Sequence, residues 1–408
     1  MNSSQLFLSF FFTIISFLPG HGEIFDVKSF DAVGDGVTDD TLAFSNAWQQ
    51  SCQTQGATLL VPQDNTFMVS KITFDGECQG ELVFQVDGTI VAPGGPDQWP
   101  SEANPKDPWI LFESIHGMRL QGNGIIDGRG QKWWDLPCKP HRRSNETTQS
   151  VPCDSPLTLR FFKSSNITLH GLNIKNSPQF HVKFDECENI HIESPGDSLN
   201  TDGIHLGRTK DVQINNSVIS NGDDCVSIRT YCYNVNINNL TCSLGHGISI
   251  GSLGEDHSHA CVSNITITNS IINGVRIKTW QGGSFNITFN YIQIESVRFP
   301  IIIDQYYCST EKCKNESSAV MIHDIYYENI KGTYENKNGE SSPVNFACSD
   351  ALSCKNLKLV DIELHPAPGE KNAYPFCWNA HGKALNFSLP IVNCLNENGF
   401  PLPIEHIC

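Results

Sequence analysis

Three ionisable residues inside glycine-flanked turns recur at one fixed interval, and that interval limits what this chain can fold into. Asp202 lies in NTDGIH (residues 200–205), Asp224 in NGDDC (221–225) and His246 in GHG (245–247), so each step is 22 residues. An interval of that length suits one coil of a solenoid, whose repeats stack and bring equivalent positions above one another. Stacked strands lie ~4.8 Å apart, so an acid, an acid pair and an imidazole would meet on one surface. RIK (276–278) follows after a longer interval and would sit on the next coil.

A second repeat supports the same architecture. Short alternating phrases headed by Asn or Asp begin at Asn166, Asn189, Asp211, Asn234, Asn264, Asn286, Asp324 and Asn356, at intervals of 23, 22, 23, 30, 22, 38 and 32 residues. Ile and Val alternate in them with Asn, Thr and Ser, as in strands with one face in a core. The longer intervals mark loop insertions. Leucine-rich repeats would need an L-x-x-L-x-L phrase and a helix or tight turn in every repeat, and neither is present. The pattern predicts an all-β fold, a parallel β-helix. One helix is predicted, in TDDTLAFSNAWQQSC (38–52), where Thr38 or Asp39 can cap and Ala43, Phe44, Ala47 and Trp48 form an apolar face. It would cover the open N-terminal end of the solenoid. With no linker or low-complexity tract, residues 23–408 are expected to form one domain.

The first 22 residues set the compartment. LFLSFFFTIISFL (6–18) is an apolar run too short to span a bilayer and is placed like the core of a signal peptide, although MNSSQ before it carries no Lys or Arg. Secretion is therefore expected, with 1–22 removed. The 16 cysteines fit an oxidising compartment. Local loops suggest the pairs Cys225–Cys242, Cys308–Cys313 and Cys348–Cys354. Sequons stand at Asn145, Asn166, Asn215, Asn239, Asn264, Asn286, Asn315 and Asn386, and glycans are expected at several. A net charge of −17 argues against nucleic acid and anionic membranes as partners. An anionic substrate would need basic residues gathered locally.

Asp202, Asp223 and Asp224 place three carboxylates on two neighbouring coils. Glycosidic hydrolysis uses one carboxylic acid to protonate the leaving oxygen and a second carboxylate as base or nucleophile. Crowding should keep at least one of the three protonated near neutral pH. Asp223 and Asp224 are adjacent and can share a face only if the backbone bends there, which Gly222 would permit. His246 would tune a carboxylate or contact substrate. Arg276 and Lys278, two apart on a strand, point the same way and form the expected receptor for a carboxylate-bearing sugar. His257 and His259 lack an evident third ligand, and no close CxxC pair occurs, so neither metal nor cofactor is expected.

NTD, GDD, GHG and RIK, in this order and spacing, resemble the signature of glycoside hydrolase family 28, the polygalacturonases. FDAVGDGVTDDTLAF, GNGIIDGRGQKWW (122–134), NSPQFH (176–181), GHGISIGSLG and RIKTWQGG resemble phrases of its plant members, so the likeness covers nearly all of the chain after residue 22. The resemblance implies a right-handed parallel β-helix and inverting hydrolysis of α-1,4-galacturonosyl bonds. By motif, Asp223 would be the general acid, with Asp202 and Asp224 activating the water. His246 would support the acid, and Arg276 and Lys278 would bind the galacturonate carboxylate. Tyr307 resembles a subsite tyrosine, and Asn200 is expected to contact sugar. Leu199 replaces a usual Pro, and Asp31 a usual Gly. The substrate implied is pectin, the location extracellular, and a monomer is the default. TWQGG leans towards endo action; exo action, xylogalacturonan hydrolysis and a catalytically silent pectin-binding protein are the alternatives.

Overall fold

The computed structural model describes residues 22–100, 104, 106–134, 155–193, 202–254, 258, 260–279, 284–307, 320–336 and 339–396. Its strands fall into three sheets of 13, 11 and 5 strands, and in each sheet neighbours follow in chain order. Neighbouring strands pair in parallel, and each bonds to its equivalents one coil before and after. The chain is therefore a parallel β-helix, as its intervals predict. Among the described residues no helix is long and apolar enough to cross a membrane. Of the expected signal segment, residues 1–21 lie outside the described residues.

The interior is built from columns of like side chains. Phe74, Phe112, Phe161 and Phe184 stack with ring centroids 5.2, 5.0 and 4.8 Å apart, close to the spacing of paired strands. In-register pairing continues this column through Leu206, Ile228, Ile250, Ile277, Ile303 and Phe346. The helix Thr41–Cys52 closes the N-terminal end: Ala43, Phe44, Ala47 and Trp48 are buried, and Trp48 meets Phe74 at 4.9 Å and Phe112 at 6.0 Å. Its start differs from the expected capping. Asp40 is the N-cap but makes no cap bond, because its carboxylate accepts the amides of Val33 and Gly34. Asp39 accepts the Thr41 amide at 3.0 Å, whereas Thr38 turns back to Asp35. Asp31 has φ +72°, so the usual Gly there reflects a left-handed backbone that Asp tolerates.

The Asn and Asp that head the repeating phrases now have a cause. Asn166, Asp211, Asn234, Asn264, Asp324 and Asn356 all have φ between 50° and 57°, a conformation these side chains adopt most readily after Gly. Their side chains also bond from coil to coil: Asn234 donates to Asp211 at 2.8 Å, and Asn264 to Asn234 at 2.7 Å. Sequons at Asn166, Asn239, Asn264 and Asn386 sit on such left-handed positions. Their Asn is thus required by the bend itself, whether or not a glycan is added.

Cys225–Cys242 and Cys348–Cys354 are bonded, and Cys52–Cys78 and Cys377–Cys394 join them. Cys308 and Cys313 lie outside the described residues. Cys187 and Cys232 are free and buried. Thr209 stands between them in the ladder, so they are two strand spacings apart, roughly 9.6 Å and beyond disulfide reach. Burial pushes their thiols up to about 11 and about 12.

Replacing Asn234 by Ala should lower unfolding free energy by about 2–3 kcal/mol, through the left-handed backbone and the two lost ladder bonds. Asn234→Gly, which keeps the backbone freedom, should lose less. Chemical denaturation of the three proteins measures the difference; equal stability of Ala and Gly variants would remove the backbone argument.

Candidate active site

Seven consecutive strands of the 11-stranded sheet carry the site: Leu159–Phe162, Val182–Asp185, Ile204–Gly207, Asp224–Ile228, Gly247–Leu253, Val275–Thr279 and Ile301–Asp304. The pairing of Ile204 with Val226, carried back two residues, sets Asp202 beside Asp224, and the Gly203 amide donates to the Asp224 carbonyl at 3.0 Å. The next step is offset by one. Asp224 pairs with Gly247 but Val226 with Ile248, so Cys225 is an extra residue and the register shifts there. His246 consequently stands over Asp223, whose carbonyl accepts its amide at 2.8 Å.

The backbone bends at Gly222 and Asp223, as expected, and the bulge that follows shifts the register, so that adjacent acids reach one cleft. The extra residue points inward, where Cys225 is buried and bonded to Cys242. Both glycines of GHG are needed for the close approach. A Cβ on Gly245 would lie 2.0 Å from the Asp223 carbonyl oxygen; Gly247 has φ +81°, and its Cβ would lie 2.1 Å from the Gly274 oxygen.

The three carboxylates occupy different surroundings. Asp223 is the open one, with half of its side chain exposed (50%), and its Oδ1 lies 2.9 Å from His246 Nδ1. Asp202 and Asp224 are buried, at 7% and 5% exposure. Asp202 Oδ2 accepts from Ser227 Oγ at 2.7 Å. Asp224 accepts from Ser249 Oγ at 2.5 Å and from Lys278 Nζ at 3.1 Å. Burial pushes the Asp202 carboxyl well above its ordinary value, and the charges of Asp223 and Asp224 add to this. Partial burial also raises Asp223, but the hydrogen bond and charge of His246 and the charge of Lys278 bring it below the ordinary range. Burial and crowding therefore favour the protonated form at Asp202, while the His246 contact and the Lys278 charge favour the ionised form at Asp223.

Arg276 and Lys278 lie on one strand with the same half-buried face. Lys278 bonds Asp224, and its ammonium is 5.8 Å from the ring of Tyr307. Asp304 pairs beside Lys278 and is raised by burial. Asn200 and the pair His257 and His259 lie outside the described residues. The atoms of Asp223, Asp224 and His246 are close enough together to ligate a cation. The Lys278 ammonium on Asp224 opposes such a charge. Three polar residues were not singled out from the sequence: His205, Ser227 and Ser249. They stand 22 apart and pair in register, so a second ladder was available to find them. His205 Nδ1 lies 2.7 Å from Ser227 Oγ, and its ring stacks on Phe180 at 4.5 Å. Burial, followed by the charges of Lys183 and Arg229, lowers His205 to about 3, so it is neutral.

Asp202 has a consequence for stability. In the unfolded chain it loses its proton near 3.8; in the folded chain it holds it to higher pH. Between those values the folded state binds more protons, so the stability this group contributes falls as pH rises. Asp202→Asn should flatten that fall and raise Tm at neutral pH, while activity drops. Thermal melts from pH 4 to pH 8 on both proteins check this; parallel curves would refute the raised carboxyl.

Comparison with known proteins gives this geometry its context. The model of glycosyl hydrolases family 28 matches residues 52–385. A probable polygalacturonase of Arabidopsis thaliana is 39% identical over 395 residues, covering 93% of this chain and 86% of that protein. An endo-xylogalacturonan hydrolase from Aspergillus tubingensis superposes with TM-score 0.73 at 23% identity, over 89% of this chain and 100% of that one. A hyperthermoactive exopolygalacturonase from Thermotoga maritima gives TM-score 0.64 at 18% identity, over 87% and 92%. The two solved structures share the fold, and the family model spans most of the sequence. On that match this chain belongs to glycosyl hydrolases family 28 and is a glycoside hydrolase.

Proposed function

We propose that the protein hydrolyses α-1,4-galacturonosyl bonds of de-esterified pectin, with inversion and from within the polymer. The observation that carries this reading is the acid cluster of Asp202, Asp223 and Asp224 beside the cations Arg276 and Lys278. A neutral sugar would have no use for two cations in the cleft of so acidic a protein.

The roles follow from exposure and partners. Asp223 is the one open carboxyl, so it is the group able to reach a glycosidic oxygen. It lies 2.9 Å from His246 Nδ1, and in its protonated form it gives its proton to the leaving oxygen as the bond breaks. Asp202 and Asp224 lie deeper and flank the attacking water. Asp224 accepts the water's proton, held in place by Ser249 and Lys278. Arg276 and Lys278 receive the sugar carboxylate. An ammonium has three N–H donors, and the bond to Asp224 uses one. Tyr307 packs beside the same sugar, and Asn200 is assigned a contact with it. Residues 1–22 direct secretion, the remaining chain acts as one domain, and the enzyme works as a monomer on the wall polysaccharide.

Polygalacturonate treated with the protein should yield a spread of oligomers whose first new reducing end is the β-anomer. Asp223→Asn should cut kcat by about 10²–10⁴ while Tm stays within a few degrees. Reducing-sugar assay, product sizing and proton NMR of the first turnovers check these outcomes. Monomer as sole product would replace endo with exo action, and a first-formed α-anomer would refute inversion. No new ends from folded protein, on this or branched pectins, would leave a binding role.

A further inference from the structure

The row of side chains that passes through Ser227 and Ser249 also runs the other way. Strand pairing sets Arg160, Lys183, His205, Ser227, Ser249 and Arg276 side by side on six consecutive strands. Residues in register share a face, so Arg160 and Lys183 open into the same groove as Arg276. Ser227 and Ser249, which hold Asp202 and Asp224, lie between. Counting strands, Lys183 and Arg276 each stand roughly 9.6 Å from Ser227, on opposite sides.

Among the described residues the charge on the Arg160 side is not balanced. Arg160 donates to Asp185 Oδ2 at 2.7 Å, Lys183 Nζ lies 3.4 Å from that oxygen, and Arg208 is 3.9 Å from Oδ1. Three cations thus meet one carboxylate, and Arg229 adds its field to Lys183. Arg160 and Lys183 are largely buried, and the buried Nε of Arg160 has no hydrogen-bond partner among the described residues. Burial lowers the Lys183 ammonium, as expected for a cation short of anionic partners. Phe162 lies beneath the Arg160 guanidinium at 4.6 Å, a cation–π contact that supports it. Arg208 stays half-exposed, with a left-handed backbone at the groove edge.

We infer that Arg160, Lys183 and Arg208 form a second carboxylate-binding subsite, across the catalytic acids from Arg276 and Lys278. The inference rests on the polygalacturonate reading for the identity of the ligand. A bound chain would then present an ionised sugar on each side of the bond to be cut, and a methyl ester on the Arg160 side would weaken binding. Receptors on both sides also suit cleavage inside a polymer.

The test separates binding from turnover. In an Asp223→Asn background, calorimetry measures the affinity for hexagalacturonate and for its fully methyl-esterified form. Adding Arg160→Gln and Lys183→Gln should weaken the hexamer at least about tenfold, as loss of charge-assisted hydrogen bonds does, and leave the ester little changed. Arg160→Lys with Lys183→Arg, which keeps both charges, should recover most of the loss. If the double Gln variant fails to fold, half-exposed Arg208→Gln takes its place, with a loss of roughly threefold expected. Unchanged affinity in the folded variants, or no hexamer binding in the parent, would overturn the subsite. Reducing-end release by the wild type is followed in parallel. Binding that depends on Arg160 without turnover would refute the hydrolase reading and keep the subsite; turnover with unchanged affinity would do the reverse.

Discussion

Every backbone hydrogen bond in these sheets leaves its own coil and lands on the next. Register between coils is therefore the constraint on which the rest of the structure depends. It sets the phenylalanine column, whose rings sit as far apart as the strands that carry them. The same register joins the Asn side chains at the bends, and it lines up His205, Ser227 and Ser249 beneath the acids. A slip of one residue would turn each of these columns to the opposite face. No single contact would compensate for that.

The chemistry arises where register is broken on purpose. With an even 22-residue ladder throughout, Asp202, Asp224 and His246 would form one column and Asp223 would face elsewhere. The extra residue at Cys225 places His246 on Asp223 while Asp202 stays level with Asp224. Four groups then share a cleft that a regular strand would divide between two faces. Bulges are costly to leave unsupported, and this one is tied from inside by Cys225–Cys242 and by the Asn221 amide on the Asp224 carbonyl. Placement of the acids is therefore a core property, held by residues that never meet solvent.

The coil interval, the helix face and the main cluster were legible in the sequence because each is a periodicity, and stacking converts period into proximity. Asp202 beside Asp224 is one such case. Single-residue departures from the period were not legible: the Cys225 bulge looks in sequence like any other residue, and its effect on His246 appears only in the pairing. Free Cys187 and Cys232 escaped for a related reason, since an even count of cysteines says nothing about the Thr209 between two of them. Which carboxyl keeps its proton was also hidden. That depends on burial, and Asp202 and Asp223 differ in exposure far more than in local sequence. The Arg160–Lys183 row could have been read, because 160, 183 and 205 continue the interval, but no motif draws the eye to it.

A chain with net charge −17 that acts on a polyanion faces repulsion at long range and needs attraction only at contact. The groove meets that need by distributing its cations along one row instead of pooling them at the catalytic step. A cation placed among the acids neutralises them, as Lys278 does for Asp224 at 3.1 Å, and too many there would strip Asp202 of its proton. Cations two strands from Asp224, as Lys183 and Arg276 are, would meet substrate carboxylates at contact and act only weakly on that acid through water. Two strand spacings, roughly 9.6 Å and about one Debye length at physiological salt, would thus let one solenoid face hold a protonated acid and charged cations together.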